Sequence, residues 1–229
     1  MVDENALRDS EDSRLLNSWV LFWKEIGAEG NPDAYFNFLK THYREPHRRY
    51  HTFGHIEHCL REFGDARPWC ENSKHVEMAI WFHDVIYNVD HTAHLNEARS
   101  ARVAYGMLLT MGMTEEFSSR VKDLIVYTQH NIYPSANDVD ATVLLDVDLS
   151  SLGAPRTIFD QDGIDIRHEY QNVPNDQFNA AREKLFEGFL NRPSIYYTTF
   201  FRQKYEKQAR QNLTGAIYSL RRWGRSGWP

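Results

Sequence analysis

Apolar residues along this chain recur every three or four positions, and the strict alternation of a half-buried strand is hard to find. That spacing predicts an all-α protein. Leu15, Leu16, Trp19, Trp23 and Ile26 form one stripe closed by Gly27, and Asn31-Pro32 reads as the cap and first turn of a second helix through Tyr35, Phe36, Leu39 and Tyr43. A third helix is expected from Thr52 to Gly64, and a fourth from Ser73, carrying Val76, Ala79, Ile80 and His83. A fifth runs from His94 to Met111 before Gly112, and a sixth from Thr114 through Thr128. VDATVLLDVDLSSLG reads as another, ending at Gly153, and three more follow over about 156–171, 176–191 and 194–222, punctuated by Pro174 and Pro193. With about 9–10 helices and no repeat or low-complexity linker, residues 1–229 are expected to form a single-domain helical bundle, its tail RRWGRSGWP loosely ordered.

Composition narrows the class. The 229 residues, 41% hydrophobic, suffice for one well-buried core. A formal charge of -6, from 26 Lys+Arg against 32 Asp+Glu, argues against nucleic acid or an anionic membrane as the main partner. The first residues, MVDENALRDSEDSRLLNSWV, lack the basic and apolar regions of a signal peptide. No apolar run reaches the roughly 18 residues of a membrane span. Cys59 and Cys70 form no CxxC pair, and a chain of this size needs no disulfide framework. A cytoplasmic protein is expected.

Chemistry enters with the histidines, seven of which (His42, His47, His51, His55, His58, His75 and His83) precede residue 84 within a short stretch. In IWFHDVIY, His83 and Asp84 stand side by side in an apolar run, where each costs several kcal/mol to desolvate unless paired or metal-bound. In RRYHTFGHIEHC, His51, His55 and His58 share one face if the helix extends that far. In LLDVDLSS, Asp146 and Asp148 interrupt an apolar helix. Imidazole and carboxylate donors converging from separate helices fix a coordination sphere that one segment cannot hold. The structural alternatives are a hydrogen-bonded core pair, a helix cap or a solvated acid.

The order His55, then His83-Asp84, then a late Asp resembles the H…HD…D signature of the HD-domain superfamily of metal-dependent phosphohydrolases. RRYHTFGHIEHCL, AIWFHDVIYN, NEARSA and LLDVDLSSLG together look like one branch of it, with IRHEY, FLNRPSIYYT and QARQNL extending the likeness over about 45–220. The resemblance implies a metal-binding core over about 45–155, with C-terminal helices over 156–222 covering it. It implies His55, His83, Asp84 and Asp148 as metal ligands, Asp146 being the alternative or a residue orienting a ligand imidazole. Tyr50-His51-Thr52-Phe53-Gly54-His55 is similar to the Tyr-His-Asn-x-x-His of cyclic-nucleotide phosphodiesterases, which makes His51 the candidate general acid, an imidazole suiting that role at neutral pH. With His51 and the ligand Asp84, Glu97 of the Asn96-Glu97 pair is a candidate for the chemistry, positioning the attacking water or a second metal. Arg48, Arg49 and Arg167 could grip phosphate through their guanidinium forks, and His130 is a weaker substrate-binding candidate.

The implied reaction is hydrolysis of a phosphoester or pyrophosphate bond by metal-activated water, on a nucleotide or another small phosphorylated metabolite. Two histidines and two carboxylates suit Mn, Fe, Co, Ni, Mg or Zn without choosing among them. A homodimer is left open. Two alternatives of other kinds remain. One is a di-iron oxygenase of the same superfamily, although the spacing of His91, His94 and His130 does not match that arrangement. The other is a non-catalytic helical module that keeps its metal for stability while binding a nucleotide or a protein partner.

Overall fold

The structure, a computed structural model, describes residues 4–90, 92–135 and 137–223. His91 and the last six residues of the tail lie outside the described residues. All regular structure described is helical: α1 (Glu4–Ile26), α2 (Pro32–Tyr43), α3 (Phe53–Ala66), α4 (Ser73–Phe82), α5 (Asn96–Thr110), α6 (Glu115–Tyr127), α7 (Val139–Asp148), α8 (Arg156–Glu169), α9 (Asn175–Leu190) and α10 (Thr199–Trp223). Short 3-10 turns occupy Arg67–Trp69, Ala93–Leu95 and Leu149–Gly153. No described helix is long and apolar enough to cross a membrane. The chain divides into two compact units, Met1–Leu144 and Leu145–Pro229, with the boundary inside α7, where the sequence offers no linker.

Local signals set most of the ends. The Asn31 side chain accepts from the Asp33 amide and Pro32 opens α2, while Thr114 accepts from the Phe117 amide at the start of α6. After α5, Met113 N donates to Leu108 O at 3.0 Å and Gly112 N to Leu109 O at 3.2 Å, a Schellman closure. That closure needs a left-handed residue, and Gly112 supplies it at φ 76°.

In the first unit α4 is the central element. Its residues Val76 to Phe82 are all buried, and apart from Glu77 they are apolar on every side of the helix, as such burial requires. It packs against α3, α5 and α6, and Trp81 meets Trp19 of α1 edge-on at 5.3 Å. Each such large side chain contributes roughly 1.5–3 kcal/mol by leaving water. The N-terminus of α4 is held by Asp140 of α7, whose carboxylate accepts from the Glu71 and Asn72 amides at 2.9 and 3.1 Å. The second unit is organised around α10, which packs against α9 and the turn at Leu149–Gly153.

The expected tenth helix begins later than its sequence pattern suggests. Residues 194–198 form an irregular segment before α10, because side chains from neighbouring turns hold its amides. Glu206 accepts from Ile195 N at 3.0 Å, and Asp146 accepts from Tyr197 N and Thr198 N, both at 2.7 Å.

Two stability outcomes follow from this packing. Gly112→Ala forces a side chain into the left-handed region with its Cβ 2.8 Å from Glu29 Cδ, and should cost about 1–2 kcal/mol in urea denaturation. Glu77 of α4 is buried beside Arg67 and Glu25, and burial pushes its carboxyl up to about 7. The folded chain then holds a proton that the unfolded chain releases, so stability falls as pH rises from about 4.5 through 7. Glu77→Gln should flatten that fall and make the protein about 1–2 kcal/mol more stable than wild type at pH 8.

Candidate metal centre

Thr52 caps α3 through its side chain, which accepts from Gly54 N at 3.2 Å. His55 therefore sits in the first turn, on the buried face with Ile56 and Cys59. His51 precedes the cap. It lies in the turn before α3, so His51, His55 and His58 do not share one helical face as the sequence spacing allowed. The HD pair is likewise at a helix end rather than inside one: α4 stops at Phe82, and His83 is its C-cap.

Three donor atoms from these two places converge. His55 Nε2 lies 3.1 Å from His83 Nε2, and Asp84 Oδ2 lies 3.1 Å from His83 Nε2 and 3.7 Å from His55 Nε2. All three residues are buried. His83 Nδ1 donates to the Ile80 carbonyl at 2.9 Å, since a carbonyl only accepts. In the neutral ring that bond fixes the tautomer and turns the Nε2 lone pair toward the other two donors. Ligands about 2.1 Å from a common divalent ion stand roughly 3.0–3.4 Å apart, so the two 3.1 Å separations match one ion held by the three residues, and the 3.7 Å separation is a little wider than that range. The group could hold a metal ion.

Electrostatics agree with a cation-seeking site. Burial alone would push the Asp84 carboxyl up, but the charge and hydrogen bond of His83, aided by His51 and His55, prevail and hold it well below the usual carboxylate range. The carboxylate is ionised. His51 reaches the group from the turn, its ring 6.0 Å from the His55 ring, edge-on. Its face stacks on Tyr87 at 3.8 Å and 21°. Cys59 Sγ, one turn along α3, is 3.6 Å from His55 Nε2, a neighbour the sequence reading did not assign.

Arg48 has a different task from the phosphate grip expected of it. Its side chain is fully buried. Nη1 donates to Asp84 O at 2.6 Å and His51 O at 3.2 Å, Nη2 to Val85 O at 3.0 Å, and Nε to Glu45 Oε2 at 2.9 Å. The guanidinium thus ties the turn carrying His51 to the backbone of the HD segment. The NEARSA motif has a related role: Asn96 accepts from Asn88 N and donates to Asn88 O, while Ser100 accepts from Ile86 N, so α5 clamps the residues just after Asp84. Spacing alone gave no signal of either role.

The other candidates fall in varied places. Glu97 is half-buried in the first turn of α5, Arg49 is exposed in the turn before α3, and His130 follows α6 at φ 55°. Asp148 closes α7 in the second unit and is half-buried. Asp146 does not orient an imidazole. Both of its oxygens accept from the amides of Tyr197 and Thr198, and burial raises its carboxyl to about 6 against those bonds. Arg167 is also committed to its own unit: its guanidinium donates to Tyr170 O, Val173 O and Asn175 Oδ1, closing the α8–α9 turn, so the phosphate role expected of it gives way to a structural one.

Arg48→Met should destabilise the protein by about 3–5 kcal/mol in urea denaturation, because it strands buried carbonyls and Glu45 together. Arg48→Lys should recover less than half of the loss, since one ammonium cannot span three carbonyls set in a fork. No family model, curated protein or solved structure matches this chain.

Proposed function

We propose that this protein is a metal-dependent phosphohydrolase of the HD type, acting on a nucleotide or another small phosphorylated metabolite. The observation that carries the reading is the convergence of His55 Nε2, His83 Nε2 and Asp84 Oδ2 in a buried pocket of donors. His55, His83 and Asp84 would hold a divalent ion, which when bound would supply an acidified water and polarise a phosphoryl oxygen. The protein's own contribution is to hold the donors ready. His83 is locked in one tautomer by Ile80, Asp84 is kept ionised, and the buried Trp81, Phe82 and Val85 around the pair limit water. His51, at the edge of the group, is placed to hand a proton to the leaving oxygen. The small likeness of a single HD pair would not support this; the three-residue convergence together with the H…HD…D order does.

The test joins metal content to turnover. Protein stripped of metal and reloaded with Mn, Fe(II), Co, Ni, Mg or Zn should gain about 2–3 kcal/mol of stability at a hundredfold excess over Kd, and His83→Ala should abolish both the gain and the bound ion. Loaded protein should hydrolyse activated phosphoesters or members of a panel of mono-, di- and cyclic nucleotides, with His51→Ala lowering kcat by about 10²–10⁴. Asp146→Asn, whose carboxylate holds the Tyr197 and Thr198 amides, should lower stability and leave the bound ion unchanged. A loaded protein that cleaves none of these substrates would defeat the reading in favour of a metal-stabilised binding module.

A further inference from the structure

We propose that Tyr87 is the positioning residue for His51, a role that rests on reading His51 as the proton donor. His51 has no helix to hold it, because it lies in the turn before the Thr52 cap. Two aromatic rings meet it: Tyr87 face to face at 3.8 Å and 21°, and Tyr50 edge-on at 4.8 Å and 82°. A parallel face restrains the rotation of an imidazole about its own bonds while leaving the ring edge, where the nitrogens lie, uncovered by that contact.

Tyr87 can serve because its own segment is tied down on both sides. Its carbonyl is bonded to His47 Nε2 at 2.8 Å. The residue before it is held by Ser100 and the residue after it by Asn96. The Arg48 guanidinium, which also binds the His51 carbonyl, lies 5.7 Å from the centre of the Tyr87 ring. One short stretch, Asp84 to Asn88, therefore carries a metal-ligand candidate at one end and the platform for His51 three residues later. The spacing between donor group and proton donor is then set by backbone, not by the rotamer of a half-buried histidine.

The stacked contact is made by the ring face, which Tyr87→Phe keeps and Tyr87→Leu removes. In metal-loaded full-length protein, Tyr87→Leu should lower kcat about 10- to 100-fold with KM and bound metal unchanged, and Tyr87→Phe should restore most of it. In a His51→Ala background Tyr87→Leu should add nothing further. A readout independent of turnover is the carbethoxylation rate of His51 by diethyl pyrocarbonate, followed by mass spectrometry. Tyr87→Leu should raise it several-fold and Tyr87→Phe should not. An unchanged rate in Tyr87→Leu, or a kcat loss equally large without His51, overturns the proposal. If wild-type protein shows no phosphohydrolase activity while Tyr87→Leu still frees His51, the catalytic reading fails and the positioning stands.

Discussion

The first unit depends on one buried guanidinium. Arg48 sits with its side chain out of water and its donors turned on the carbonyls of His51, Asp84 and Val85 and on the Glu45 carboxylate. A helix that ends leaves carbonyls without partners, and α4 ends at Phe82 in the middle of the core. Buried without partners, those groups would cost more than the apolar packing around them returns. Arg48 satisfies two carbonyls just past that end at once, and its ionic partner Glu45 keeps the charge from standing alone. Donors and backbone are therefore fixed by the same residue.

The same device recurs in each unit. Asp140 collects the amides before α4, Asn96 and Ser100 the backbone after it, and Asp146 and Glu206 the amides of residues 195–198. Arg210 donates to the carbonyls of Leu190 and Arg192, and Asn212 to those of Leu152 and Ala154. Each bond is worth only about 1 kcal/mol net, but each protects a group whose neglect costs more. Several of the motifs that stand out in the sequence, FLNRPSIYYT and QARQNL among them, are accounted for by this fastening of irregular segments.

For the candidate centre this fastening has a chemical consequence. The Ile80 carbonyl fixes the His83 tautomer, the capped start of α3 places His55, and the clamp from α5 settles the chain beyond Asp84. Three donors held from outside do not have to reorganise when a cation arrives, which favours binding by lowering its entropic cost. Neighbouring backbone holds the imidazoles and the ionised Asp84 face to face, and their mutual attraction adds to that hold.

Alone, the sequence determined the helical class and most helix ends, and it picked out His55, His83 and Asp84, the three donors that converge. Those are local properties: a 3.6-residue period, an Asn31-Pro32 start, a Gly112 stop, and a histidine next to an aspartate in an apolar run all act within a few positions. Tertiary structure decided which polar residues face a site and which face backbone. Arg48 and Arg167 look like phosphate binders in sequence because a guanidinium fork fits a phosphate and a set of carbonyls equally well, and only packing reveals that carbonyls fill it. Asp146 and Asp148, two residues apart in one apolar helix, are alike in sequence for the same reason, yet Asp146 is spent on the amides that open α10. The pairing of His51 with Tyr87 joins residues 36 positions apart through a turn and a helix end, where periodicity carries no information.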